Sequence, residues 1–233
     1  MSNDRRLLGR CAEAALRWFG EDCPLCGARS GPELLCAACV ADLPGLPEHC
    51  PRCALPSPGG SLCGACLADP PRFDATTALW LYEFPCDQLV HALKYRAQLA
   101  LAGFFARRLA SCRLPEADLI LPMPMHPRRL AERGFNQALE IARGVARRLG
   151  KPIEPCGVRR VKDTPPQTGL PYGERAKNVR GAFRCELELD GASVAVVDDV
   201  MTTGATFDEL ARALKGAGAA RVENLVVART VLR

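Results

Sequence analysis

Aromatic residues are scarce in this chain. They make up 6% of 233 residues, with 8 Phe, 3 Tyr and 2 Trp, so the core must be built mainly from aliphatic side chains and alanine. Long apolar runs are missing too. The longest uncharged, mainly apolar stretch near the middle, 97–106, is half of the roughly 20 residues that a bilayer span needs, and no membrane span is expected. Behind Arg5 and Arg6 the apolar character is broken by Arg10, Glu13 and Arg17. A secretory signal is therefore not expected, and the cytoplasm is the expected setting. What remains is an ordinary globular balance of 48% hydrophobic and 24% charged residues, which excludes wholesale disorder.

Cysteine, by contrast, is abundant: there are 13. An odd count containing four Cys-x-x-Cys pairs does not fit a disulfide framework, and in a reducing compartment such pairs read as thiolate metal ligands. The segments CPLCGARSGPELLCAAC (23–39) and CPRCALPSPGGSLCGAC (50–66) repeat at an offset of 27, each with the form C-x2-C-x9-C-x2-C. Each Cys-x-x-Cys turn aims two thiolates at one point, and two turns joined by a short hairpin complete a tetrahedral set about Zn²⁺. The simplest assignment is two structural sites, Cys23, Cys26, Cys36, Cys39 and Cys50, Cys53, Cys63, Cys66. One zinc with unpaired cysteines, or an iron–sulfur cluster, are the alternatives. A segment of this size has almost no hydrophobic core, so metal must hold it together. The isolated Cys11, Cys86, Cys112, Cys156 and Cys185 are read as buried small hydrophobes.

Charge is distributed unevenly. Residues 1–70 hold 6 basic and 8 acidic side chains, whereas 128–184 hold 14 basic and 5 acidic. A positive segment implies an anionic partner, either a phosphate-bearing small molecule or nucleic acid. The expected organisation is an amphipathic N-terminal helix (1–20), a double zinc ribbon (21–70) ending at Asp69-Pro70-Pro71, and an α/β domain (71–233). In the last of these, strands are expected at 75–82, 118–123, 193–197 and 222–227, and helices at 87–95, 99–112, 135–149 and 206–216. The alternation argues for a parallel sheet with helices on both faces. Residues 162–181, rich in Pro and Gly, show no helical or strand period and read as a functional lid.

The strongest chemical signal is VAVVDDVMTTGAT (194–206). An apolar strand leads into Asp198 and Asp199, and Thr202, Thr203, Gly204, Ala205 and Thr206 open a helix. Ligands of a parallel sheet bind at this carboxyl edge. Backbone N–H groups and hydroxyls at a helix start cradle a phosphate, while paired carboxylates accept hydrogen bonds from vicinal diols. Phosphate plus diol describes a ribose 5-phosphate. The Gly-Lys-Ser/Thr of a nucleotide P-loop is absent.

This stretch resembles the binding motif of type I phosphoribosyltransferases, which use 5-phosphoribosyl-1-pyrophosphate (PRPP). The resemblance implies that Asp198 and Asp199 hold the ribose hydroxyls, that 202–206 grip the 5-phosphate, and that Mg²⁺ is bound mainly through pyrophosphate and ribose oxygens. It also implies a pyrophosphate loop at 125–128, where Arg128, Arg129 and Arg133 could neutralise the diphosphate. A hood is implied at 162–183, from which Arg175, Lys177 and Arg180 could close over the phosphates. His126, before a proline in a turn, is read as loop structure and not as a base. Taken with the Cys-x-x-Cys ribbons, LVHALKYR (89–96), HPRRLAERGFNQA and QTGLPYGERAKNVRGAF, the chain resembles the ComF family. That resemblance implies a double zinc ribbon fused to a phosphoribosyltransferase-type domain, associated with DNA uptake in natural transformation. Two functions follow as expectations. One is phosphoribosyl transfer (a glycosyltransferase activity) to an unread acceptor. The other is a non-catalytic accessory role in which the basic 128–184 face and the ribbons contact single-stranded DNA. The slightly acidic ribbon and the few aromatics of the basic segment, Phe135, Tyr172 and Phe183, weigh against the second.

Overall fold

The computed structural model describes residues 22–112, 116–163 and 179–231. The N-terminal helix expected at 1–20 lies outside the described residues, as does most of the hood, including Arg175 and Lys177. Two compact units meet in sequence between Leu43 and Pro44. The first holds the first cysteine tetrad. A turn at Gly31–Glu33 leads to helix α1 (Ala37–Ala41), which starts directly after Cys36.

The second unit, Pro44–Arg233, carries the second tetrad together with the α/β core. After helix α2 (Gly64–Ala68) come strand β1 (Ala75–Leu81), helices α3 (Cys86–Arg96) and α4 (Ala100–Ala110), and strand β2 (Leu119–Pro122). Helices α5 (Pro127–Arg133) and α6 (Gln137–Leu149) follow, then short strands β3 (Val158–Arg160) and β4 (Phe183–Cys185). Strand β5 (Ser193–Met201), helix α7 (Ala205–Gly216) and strand β6 (Arg221–Arg229) complete the unit. The main sheet has the order β1-β6-β5-β2, every neighbouring pair being parallel.

The two central strands are mainly apolar on both faces, as burial under helices requires, with Asp199, Glu223, Asn224 and Arg229 as buried polar exceptions. Val194 and Val196 of β5 and Val222 and Val226 of β6 share a buried cluster with Phe207, Leu210, Ala211 and Leu214 of α7. The alternate residues Ala195, Val197, Leu225 and Val227 are equally buried but belong to the opposite face, which α4 and α6 cover. These two helices pack so closely that a Cβ on Gly144 would stand 2.5 Å from Ala106 Cβ.

Both sheet edges are dressed by non-strand backbone. Along β1, Leu81 N–H donates to Pro44 O and Thr76 N–H to Pro51 O, at 2.8 and 3.1 Å. Along β2, Ile120 N–H donates to Pro152 O and Glu154 N–H to Ile120 O, both at 2.9 Å.

Three differences from the sequence reading have physical causes. Strand β5 runs past the acid pair to Met201, because its backbone keeps pairing with Val226, Ala228 and Arg229 of β6. The flanks of the Pro/Gly-rich segment form the antiparallel pair β3–β4, each three residues long and too short to show a period. Cys156 is exposed while Cys86 is fully buried. It sits in a turn fixed by Glu154, whose Oε1 accepts from the N–H groups of Cys156 and Gly157 at 2.8 Å.

Candidate functional site

Each cysteine tetrad gathers four Sγ atoms within 4.8 Å of one another. Four sulfurs at 2.3 Å from a tetrahedral centre stand roughly 3.8 Å apart. Cys26–Cys36 and Cys53–Cys63 are each separated by 3.6 Å, far longer than a disulfide. Helices α1 and α2 start immediately after Cys36 and Cys63, which orients the second pair of each set. Burial resists ionisation of Cys23, but the backbone N–H groups of Cys36, Cys26 and Leu25 bring its thiol down to about 6. Cys50 is handled alike by Cys63, Cys53 and Arg52 and comes down to about 7. The neighbouring sulfurs and burial push Cys39, Cys53 and Cys66 the other way, but four sulfurs at this spacing fit zinc and leave no position for water or substrate. Both are structural centres.

At the carboxyl edge of the sheet lies a cleft of about 640 Å³, lined by the ends of β2 and β5, by α3, and by the starts of α5, α6 and α7. The two acids of β5 both reach this cleft and their carboxyls touch one another, yet their surroundings differ. Asp199, 3% exposed, meets Lys94 Nζ at 2.5 Å. Burial alone would raise its pKa, but the Lys94 ammonium, with hydrogen bonds to Asp198 and Gln137, more than offsets burial and holds the carboxyl below its ordinary value. Lys94 responds reciprocally: burial pulls it down and Asp199 more than restores it. Asp198 is half-buried. Burial and the neighbouring Asp199 charge push its pKa well up.

The turn after β5 is shaped by Gly204, at φ +88°, where a Cβ would approach Met201 Cε to 2.8 Å. Gly204 caps α7, and Thr203 Oγ1 accepts from Ala205 N–H at 3.3 Å. Thr202, Gly204 and Thr206 line the cleft beside both acids. Thr203 and Ala205 shape the turn without lining it.

Opposite, Asn136 caps α6 by accepting from Ala138 N–H at 3.0 Å and donates to Met123 O at 3.1 Å, fixing the end of β2. His126 caps α5, its Nδ1 accepting from Arg128 N–H at 3.3 Å, and it also lines the cleft. Arg129 and Arg133 line the cleft. Arg133 donates to Gln137 Oε1 at 2.6 Å and lies over the Tyr95 ring. Arg128 instead turns to Glu132 and Asp163. Arg180 is in a different recess with Lys162, Gly181 and Arg212.

Sequence reasoning missed Lys94, Arg160, Tyr82, Tyr95 and Gln137, all of which line the cleft. Burial and the nearby Arg129 charge lower the pKa of Arg160, while Asp198 opposes that shift. Two guanidiniums and a carboxyl therefore converge from separate elements. Lys94 had a legible signal: it stands four residues after Val90, on the buried stripe of α3, where a lysine needs a partner. Arg160 had none, since β3 brings it in from a segment without period.

Two domain families match the chain: the double zinc ribbon domain over residues 16–67 and the phosphoribosyl transferase domain over 136–230. The DNA utilization protein YhgH of Salmonella typhi is 35% identical over 218 residues, covering 90% of this chain and 84% of the relative. Competence protein F of Haemophilus influenzae is 32% identical over 208 residues, covering 84% and 90%. An adenine phosphoribosyltransferase of Rhodococcus jostii is 37% identical over 116 residues, covering 48% and 56%. With two thiolate cages ahead of a parallel sheet whose carboxyl edge carries the paired acids and the glycine turn, the chain belongs to the ComF/YhgH family, a double zinc ribbon joined to a phosphoribosyltransferase-type domain.

Proposed function

We propose that the cleft is a seat for PRPP with Mg²⁺ and that the protein transfers, or holds, a phosphoribosyl group. The observation that carries this reading is the convergence of Arg129, Arg160 and Lys94 with Asp198 and Asp199 around the turn that opens α7. Guanidiniums brought in from β3 and α5, beside a half-buried acid and the start of a helix, suit a ligand that carries both phosphate and hydroxyl groups. In this reading the N–H groups and hydroxyls of 202–206 take the 5-phosphate. Asp198 accepts from the ribose hydroxyls, Asp199 is held in place by Lys94, and Arg129 and Arg133 face the pyrophosphate. Magnesium, bound chiefly by pyrophosphate and ribose oxygens, would supply charge neutralisation of the leaving group. In a transfer, the C1–O bond to pyrophosphate breaks, positive charge develops on the ribose ring, and the acceptor's lone pair forms the new bond at C1. The chain's contribution is positioning and electrostatic stabilisation. Arg175, Lys177 and Arg180 are proposed for the hood that excludes water.

Calorimetric titration of Mg²⁺ and PRPP into wild type and Asp198→Asn tests the seat. Binding to wild type, weakened about tenfold or more without Asp198, is the expected outcome, each tenfold being 1.4 kcal/mol. Absence of binding to wild type overturns the reading. Exchange of labelled pyrophosphate into PRPP across an acceptor panel separates transfer from holding.

A second reading has its own support in the names of the relatives, which concern DNA utilization and competence. Here the protein is an accessory of DNA uptake whose basic 128–184 face binds single strands. A mobility shift with a steep salt dependence, lost when the Arg and Lys residues of that segment become Ala, is the expected result; affinity indifferent to salt overturns it. In either case the cytoplasm is the proposed setting, because thiolate zinc cages persist in a reducing compartment. Among the described residues no helix is long and apolar enough to cross a membrane.

A further inference from the structure

Arg229 closes strand β6 and is 1% exposed. Its guanidinium is spread over backbone carbonyls from distant parts of the second unit. Nε donates to Cys53 O at 2.7 Å. Nη1 donates to Met201 O at 3.0 Å, to Thr230 O at 2.8 Å and to Thr202 O. Cys53 is a ligand of the second zinc cage. Met201 and Thr202 begin the turn that opens α7. A buried guanidinium is tolerated only where its rigid fork of donors finds acceptors, so the carbonyl of Cys53 and those of the turn are held in one hydrogen-bonded assembly. Packing runs alongside. Phe73 shares a buried cluster with Cys53, Cys66 and Met201, and its ring lies 3.6 Å from where a Cβ of Gly204 would stand.

We propose that Arg229 is a positioning residue that makes the shape of the 201–206 turn depend on metal in the second cysteine cage. With zinc bound, the Cys53 sulfur is fixed and its carbonyl stays in place for Nε. When the cage empties, the Cys53 turn loosens, the guanidinium loses its outer anchor, and the carbonyls of Met201 and Thr202 are released. Lysine keeps the charge but has no fork, and cannot bridge both ends. The ligand-binding consequence rests on the PRPP reading of the cleft; the ordering of the turn does not.

Hydrogen exchange measured on the full chain tests this without ligand. Cys63→Ser empties the second cage, Cys36→Ser empties the first, and Arg229→Lys leaves both filled, zinc content being checked by metal analysis. Exchange of the amides of residues 201–205 is expected to rise roughly tenfold in Cys63→Ser and in Arg229→Lys, in the usual range of coupling between sites. It should stay at the wild-type rate in Cys36→Ser, with residues 194–197 protected throughout. Combining Cys63→Ser with Arg229→Lys should add nothing further, because one connection has been cut twice. Unchanged turn exchange in Arg229→Lys, independent additive effects, or loss of protection at 194–197 in that variant would each overturn the proposal. A matching loss of Mg²⁺–PRPP affinity in Arg229→Lys supports it further. If PRPP produces no heat with wild type while the turn still responds to the second cage, the PRPP reading fails and the coupling stands.

Discussion

Lys94 and Asp199 depend on each other. The lysine lies on the buried stripe of α3 only because a carboxylate of β5 meets it there. Removing one partner of such a pair leaves an uncompensated buried charge. Lys94→Met is therefore expected to destabilise the fold by about 3–5 kcal/mol, and adding Asp199→Asn should recover part of the loss, as read by urea unfolding. The two acids also titrate with opposite signs. Asp199, held below its ordinary value, contributes stability above the unfolded carboxylate range near 3.9 that is lost only as pH falls through its lowered folded value. Asp198 is held above its ordinary value and resists ionisation until pH exceeds its raised folded value. A ligand offering hydroxyl donors and Mg²⁺ favours the carboxylate form, so its binding should expel a proton from Asp198 and tighten as pH rises. Calorimetry in buffers of different ionisation enthalpy should detect that proton in wild type and not in Asp198→Asn. This division of labour was invisible in the sequence, where Asp198 and Asp199 are identical neighbours. It follows from a lysine more than 100 positions away that pairs with one of them, and no local pattern encodes that meeting.

Elements with a clear period were legible. The expected boundaries of α4, α6, α7, β1, β2 and β6 differ from those observed by three residues or fewer, because each carries an apolar repeat with its own stop signal. Gly134 and Gly150, at φ +83° and +63°, end α5 and α6. The reach of β5 was not legible, since continued pairing with β6 overrides two adjacent acids. Helix packing supplies a test in which two effects oppose one another. Gly144→Ala should gain up to about 1 kcal/mol of helix propensity, yet its new Cβ meets Ala106 Cβ at 2.5 Å. Overpacking of this kind costs about 1–3 kcal/mol. A net fall in thermal midpoint is expected, reversed in large part by pairing it with Ala106→Gly.

Across the whole molecule, the cysteine repeat that reads as one module is divided between two units. The second cage shares its buried cluster with Phe73 and Met201. A fragment beginning at Pro44 is thus expected to fold with about one zinc per chain where the full chain holds about two, by metal analysis of gel-filtered protein. A fragment beginning at Arg72 would uncover Phe73 and Met201 and should unfold at lower denaturant. The repeat itself could be read because its ligand spacing is local; its division could not, because it depends on the second copy packing with Phe73 and Met201, which lie outside the repeat. The backbone of 44–51 occupies the outer rim of β1, satisfying Leu81 and Thr76. An open rim of this kind is a template for recruiting further chains. Chelation that frees 44–51 should therefore appear first as turbidity that grows with protein concentration, before any loss of helical signal, and zinc scarcity would remove this protein by self-association ahead of unfolding.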